Sequence, residues 1–346
     1  MRWFSSLFAL YMRWFQVLSV VPGAAALQLS AKSTAADVVS FYRSNLPAFA
    51  TRGGVAVVTG GNSGIGVESV RALIDAGCFV VLCSRNKEAG TKALEEIGAP
   101  SGRARVQQLD LADLESVKAA CEEISATEGS VALLLNNAGV MATPKRKTEQ
   151  GFELQIGTNH LGHFALTRLL LPILAADGRV VTVASSAHTM GAVDTADLSF
   201  AGARKYTPWG AYGQSKAANI LFAKGLADEL AAAGSKIQSL SLHPGVIGTP
   251  LWRHGNRAVT WMLHKVILDK DVPQGASTSL YAALAPDLPA GAYLSDNAVA
   301  APNAACADEG GKLRKALWAL SETLVAEAGL ALPASLLGGE ACAAKV

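Results

Sequence analysis

The stretch AYGQSKAAN, residues 211–219, sets Tyr212 and Lys216 four positions apart in a segment with helical character. On a helix such a pair shares one face, within reach of a common object. An ammonium beside a phenol favours the phenolate. That would bring a pKa near 10 toward a value useful for proton transfer at neutral pH. A tyrosine ring packed on a lysine stem satisfies the same spacing, so the pair signifies chemistry only in company.

The company is a phosphate-type loop. The apolar run VAVVTG (55–60) leads into TGGNSGIG, which supplies Gly60, Asn62, Ser63, Gly64, Ile65 and Gly66 ahead of a helical segment. A glycine-rich turn between strand and helix lets backbone N–H groups approach a pyrophosphate at the helix N-terminus. The spacing is T-G-x-x-x-G-x-G, one residue longer between the first two glycines than G-x-G-x-x-G. The second apolar run ends in LCSRN, where an NAD site would carry Asp or Glu for the ribose 2′-hydroxyl. Ser84 and Arg85 stand there instead, a hydroxyl and a guanidinium suited to a 2′-phosphate. The expected cofactor is therefore NADP(H).

These residues need a scaffold, and the pattern from Gly53 onward provides one. Short apolar runs at 55–60, 79–84, 104–110, 131–139, 178–186, 236–245 and 291–295 alternate with amphipathic segments such as 64–76, 113–126, 152–176 and 212–233. Continuous Val/Leu/Ile runs indicate strands buried on both faces, and regular β-α alternation implies right-handed crossovers. The expected fold is α/β: a single Rossmann-type doubly wound parallel sheet flanked by helices on both faces. It spans 53–330, with a flexible tail at 331–346.

Composition narrows the partners. A net charge of +2 on 346 residues, with no basic run interleaved with aromatics, gives no reason to expect a nucleic-acid partner. Cys78, Cys83, Cys121, Cys306 and Cys342 show no C-x-x-C spacing and read as core or incidental thiols, so no metal site is expected. The first 27 residues have arginines, a short apolar core from Trp14 to Val21, Pro22-Gly23 and three alanines, the order of a cleaved targeting segment. A retained membrane anchor is the alternative, although Arg13 interrupts the apolar run. Residues 28–52 read as a linker or a second targeting portion, as in bipartite plastid signals. Secretory pathway and plastid both stay open as destinations.

Together TGGNSGIG, NNAG (136–139), Asn159 in TNHLGHF, Ser186 in VASSAH, YGQSK and HPG (243–245) resemble the short-chain dehydrogenase/reductase family, over about residues 53–325. The resemblance implies that Tyr212 is the general acid or base at a substrate carbonyl or alcohol. Lys216 would bind the nicotinamide ribose and lower the Tyr212 pKa, Asn159 would hold a water linking Lys216 to solvent, and Ser186 would hydrogen-bond the substrate oxygen. Ser185 is the alternative serine, because consecutive strand residues point to opposite faces and only one can serve. The resemblance also implies cofactor contacts from Asp110 with Leu111, from Asn137, Ala138 and Gly139, and from Pro244, Gly245 and Val246. His160, His163, His188 and His243 read as packing or loop residues, with His188 a candidate for the pocket wall.

EQGFELQIGTNHLGHFALTRLLLP, VPQGASTSLYAALA and KLRKALWALSETL look like the branch holding retinol dehydrogenases, the WW-domain oxidoreductase and protochlorophyllide reductases. That branch implies NADP preference and a bulky lipophilic substrate. Protochlorophyllide reductase itself fits less well: HPGV lacks its cysteine, and the Ser-to-Tyr interval leaves no room for its extra loop. The apolar segment after Pro244, with Trp252, Trp261, Met262 and Leu263, serves equally as a lid over the substrate or as a docking surface for membrane or protein. Homodimer pairing through 152–176 and 212–233 is expected, or membership of a larger complex. The rival reading is a catalytically silent NADP-binding subunit, against which the intact set Asn159, Ser186, Tyr212 and Lys216 argues.

Overall fold

The structure is a computed structural model that describes residues 28–247 and 270–337. The apolar runs form strands β1 (Val55–Thr59), β2 (Phe79–Ser84), β3 (Ala104–Gln108), β4 (Val131–Asn136), β5 (Leu174–Val183) and β6 (Gln238–His243). Two short strands follow, β7 (Tyr293–Ser295) and β8 (Ala298–Ala300). All eight join one sheet in the order β3-β2-β1-β4-β5-β6-β7-β8. Every pairing is parallel except β7 with β8. The tight turn at positive-φ Asp296 and Asn297 makes that last pair a hairpin, which the expectation of a wholly parallel sheet did not include.

The order reverses at β1, which has β2 on one side and β4 on the other. The chain after β1 and the chain after β4 therefore diverge above the sheet and leave a crevice at the carboxyl ends of the strands. Helices α1 (Ala35–Tyr42), α2 (Ala48–Thr51), α3 (Ile65–Asp75) and α4 (Lys87–Glu96) pack on one face, and α9 (Val272–Leu284) joins them. The other face carries α5 (Leu114–Glu128), α6 (Leu154–Ile156), α7 (Gly162–Leu170) and α8 (Pro208–Ala232). A short helix α10 (Ala304–Ala307) and the long α11 (Lys312–Glu327) close the described chain.

Residues 28–52 are part of this domain rather than a linker. Thr34 and Asp37 form a capping box at the start of α1, with Asp37 N–H to Thr34 Oγ1 at 3.1 Å and Thr34 N–H to Asp37 Oδ2 at 2.8 Å. Ala35, Val38 and Val39 are buried in the core shared with α3 and α9. Asn297 Nδ2 also donates to Ser30 O at 2.8 Å, tying this stretch to the far sheet edge. The boundary at 331 shifts as well: Arg168 on α7 donates to Pro333 O at 2.9 Å, and Leu332, Leu336 and Leu337 pack on the core.

The single helix expected over 152–176 is three pieces. A π turn at Gly157–Leu161 joins α6 to α7, and Leu171–Ile173, with Pro172 unable to donate, ends the run before β5 begins at Leu174. The face of α7 and α8 expected to pair with a second subunit is covered by α11. Trp318 lies 5.1 Å edge-on from Phe164, Leu317 packs with Ala218 and Leu221, and His160 Nε2 meets Ser321 Oγ at 2.9 Å. The targeting-type residues 1–27 and the apolar segment with Trp252 and Trp261 lie outside the described residues. Among the described residues no helix is long and apolar enough to cross a membrane.

Candidate active site

The crevice above the switch point holds a cavity of about 970 Å³. Its floor at one end is the loop between β1 and α3. Gly64 sits at φ +56° and presents the first turn of α3 to the cavity. Gly66 lies behind the loop, where a Cβ would fall 2.2 Å from Gly60 O, so α3 can approach β1 this closely only without a side chain. Gly60, Asn62, Ser63, Gly64 and Ile65 line the cavity, and Gly66 supports them from beneath. Thr59 Oγ1 accepts from the backbone N–H groups of Asn137 and Ala138, both at 2.9 Å, which fixes the NNAG turn against this loop. The cavity is large enough for a dinucleotide, and the start of α3 faces it where a pyrophosphate suits the end of a helix.

Further along, Ser84, Arg85, Asp110 and Leu111 line the same cavity at the ends of β2 and β3. The Ser84 hydroxyl is engaged in its own turn, donating to Asn86 O at 2.8 Å and accepting the Asn86 N–H at 3.3 Å. Arg85 is exposed at the rim. Asn137, Ala138, Gly139, Pro244, Gly245 and Val246 line the opposite wall.

Tyr212 and Lys216 both reach the cavity from α8. Thr207 caps this helix and Pro208 opens it, so it starts a full turn before Tyr212 and holds that residue in regular geometry. Lys216 Nζ donates to Val183 O at 2.9 Å and stands 5.8 Å from the Tyr212 ring centre. Asn159 lies within the π turn, a distortion frequent at functional sites. It is fully buried and does not line the cavity. Its Oδ1 accepts the Val140 N–H at 2.8 Å, and its Nδ2 donates to Val140 O and Ser215 Oγ, both at 2.9 Å.

The serine that hydrogen-bonds Tyr212 is Ser185, the alternative, and not Ser186. Ser185 stands in extended conformation two residues beyond Val183, the last residue of β5, and its hydroxyl also accepts the Ala187 N–H at 3.2 Å. Ser186 borders the cavity, but its backbone N–H is drawn to His243 Nδ1 at 3.1 Å. His188 turns away from the cavity and contacts Ser185 O and Asn303, so it is not part of the wall. His243 does line the wall, which the sequence reading missed. Met141, Met190 and Trp209 were also missed. Trp209 sits three residues before Tyr212, and its ring meets the tyrosine at 6.0 Å and 81°. That i, i+3 spacing was the one signal that could have flagged it.

Burial governs the electrostatics. It pushes the Tyr212 phenol up to about 12, opposed by the bond to Ser185, and pushes Lys216 down to about 7. The phenol thus stands above its ordinary value in the free protein, against the lowering expected from the neighbouring ammonium. Desolvation is the largest influence on both groups and penalises both charged forms. A phenol in this state keeps its proton at neutral pH.

A parallel sheet with a switch-point cavity, a glycine loop and a Ser-Tyr-Lys constellation defines a nicotinamide-dependent oxidoreductase. Comparison with known proteins agrees: the sequence model of the short chain dehydrogenases matches residues 54–197. Polyprenol dehydrogenase of Mus musculus is 42% identical over 283 residues, covering 77% of this chain and 82% of that protein. Retinol dehydrogenase 11 of Mus musculus is 42% identical over 251 residues, 70% of this chain and 78% of that one. Short-chain dehydrogenase TIC 32 A, chloroplastic, of Brassica napus is 38% identical over 283 residues, 78% of this chain and 88% of that one. A crystal structure of a Mycobacterium Paratuberculosis protein of unassigned function superposes with a TM-score of 0.68 at 39% identity, covering 84% of this chain and 98% of that one. The chain belongs to the short-chain dehydrogenase/reductase family, in the branch of the retinol dehydrogenases and TIC 32.

Proposed function

We propose that the chain is an NADPH-dependent reductase of carbonyl groups on bulky lipophilic substrates. The observation that carries this reading is the wall opposite the glycine loop. There Tyr212 and Ser185 share a hydrogen bond, and Met141, Ala142, Ala187 and Trp209 pack around them as an apolar surface. Bound NADPH supplies the hydride. Tyr212 donates its proton to the oxygen of the carbonyl being reduced, and Ser185 donates a hydrogen bond to that oxygen as negative charge gathers on it. Lys216, held by Val183 O, lies where the nicotinamide ribose would meet it. Asn159 ties Val140 to Ser215 and keeps the wall from moving relative to α8.

One group supports the cofactor choice. The guanidinium of Arg85 suits a 2′-phosphate, and Ser84, Asp110 and Leu111 are among the groups that line the cavity near it. The substrate class draws on the apolar wall and on the similarity to a polyprenol dehydrogenase and a retinol dehydrogenase. The targeting role read from residues 1–27 is part of the same proposal.

The test is turnover of all-trans-retinal, farnesal and nonanal by the purified chain, with NADPH and NADH in parallel and Tyr212→Phe beside the wild type. NADPH-dependent alcohol formation that Tyr212→Phe abolishes is the expected result. Tight NADPH binding with no turnover of any aldehyde would replace this reading with that of a silent cofactor-binding subunit.

A further inference from the structure

The peptide group between Ser185 and Ser186 is held at both of its polar atoms by imidazole rings. Its carbonyl oxygen, on Ser185, receives the His188 Nδ1 at 2.7 Å and the His188 backbone N–H at 3.1 Å. Its N–H, on Ser186, donates to His243 Nδ1 at 3.1 Å. The two rings come from separate places: His188 from the turn after β5, His243 from the end of β6.

The partners fix where each ring carries its proton. A backbone carbonyl only accepts, so His188 bears hydrogen on Nδ1. Its Nε2 is then free to accept the Asn303 N–H, which it does at 3.1 Å. A backbone N–H only donates, so His243 Nδ1 must present a lone pair and its proton sits on Nε2. The two histidines are neutral and of opposite tautomer. His188 is further seated by the Tyr293 ring, edge to face at 5.5 Å, and by Asn303 Nδ2 donating to its carbonyl at 3.4 Å.

This peptide plane sets the ψ angle of Ser185, which stands at 156°. A tilt of the plane swings the Ser185 hydroxyl relative to Tyr212, and displacements of about 1 Å at a reacting centre cost on the order of a hundredfold in rate. We propose that His188 and His243 are positioning residues that clamp the Ser185–Ser186 peptide from both sides and so aim the Ser185 hydroxyl at the substrate oxygen. This rests on the role given to Ser185 above. It also explains why neither histidine needs to touch substrate.

Two measurements test it. The first needs no turnover: nitrogen-15 imidazole spectra of the full chain at pH 7.5, with the signals assigned by His188→Asn and His243→Asn. The expected result is a Nδ1–H tautomer for His188 and a Nε2–H tautomer for His243. Equal tautomers, or either ring protonated, would overturn the clamp whatever the enzyme does. The second is kinetic, with NADPH and all-trans-retinal. His243→Leu removes the acceptor and should lower kcat at least tenfold while KM for NADPH stays within about twofold. His243→Asn places an oxygen where Nδ1 stood and should recover most of that loss. Should His243→Leu fail to fold, His243→Gln, which moves the acceptor out by one bond, takes its place with the same expected loss. In a Ser185→Ala background the His243 substitution should cost nothing further, because the hydroxyl it aims is gone. An equal loss in both backgrounds, or a loss confined to KM, would show a merely structural histidine and overturn the proposal. Expected tautomers with no wild-type turnover of any aldehyde would instead remove the function on which the clamp rests, and the clamp's role with it.

Discussion

Trp318 lies nearly flat on Phe222, ring centres 6.0 Å apart and planes at 17°, so the C-terminal helix α11 rests on the middle of α8. Arg168 extends the contact by pairing with Glu322 and by placing its guanidinium 5.6 Å over the Trp318 ring. The surface through which the family resemblance implies subunit pairing is thus used within one chain. The chain should sediment with the mass of a single protomer. A dimer that survives dilution to nanomolar concentration would show that pairing uses a different face or displaces α11. Trp318→Ala should lower stability by about 3–5 kcal/mol, the usual range for removing a large core aromatic, read from denaturant midpoints.

Lys216 should be a costly residue to keep. Its folded pKa is depressed by burial from 10.5 to about 7. The unfolded chain therefore takes up a proton that the folded chain resists as pH falls from 10.5 toward 7, and stability is lost across that window. Below pH 7 both states carry the proton and the full penalty remains. Lys216→Met should abolish turnover yet melt at least about 2 °C higher than wild type at pH 7, the gap closing as pH approaches 10.5. Val183 O keeps the Asn219 Nδ2 donor at 3.1 Å, so the substitution orphans no carbonyl. A lower melting temperature at pH 7 would contradict this account.

Acid should destabilise the fold through its buried histidines. Burial pushes His160 and His163 down to about 3, while the unfolded rings titrate near 6.5. Their contribution is whole above about pH 6.5 and is lost progressively as pH falls toward 3. His160→Gln, which can still reach Ser321, should lose less stability than wild type between pH 7 and 4.5 in guanidinium titrations. Identical losses in the two proteins would remove His160 from the explanation.

Arg85 sets the cofactor preference in the proposed function. Arg85→Glu should raise KM for NADPH at least tenfold and leave KM for NADH unchanged or lower, because a carboxylate repels the 2′-phosphate and can accept from a 2′-hydroxyl. Unchanged discrimination between the two cofactors would shift the role to another group on the rim.

What the sequence determined by itself was whatever local pattern controls. Buried parallel strands are continuous aliphatic runs, so β1 and β2 fall within a residue of where their composition puts them, and β4 begins where expected. A glycine loop needs no distant partner to be recognised, and four residues of helix suffice to put Tyr212 and Lys216 on one face. Contacts between remote segments were decided only by the tertiary structure. Alternation says that one of Ser185 and Ser186 faces Tyr212, but which one depends on where β5 ends and on His243 and His188 gripping the peptide between them. Helix α1 looked like linker because its apolar positions, Ala35, Val38 and Val39, gain meaning only against α9, more than two hundred residues away. The sign of the Tyr212 pKa shift followed the same rule, since desolvation depends on everything packed around a side chain and not on the residue four places along.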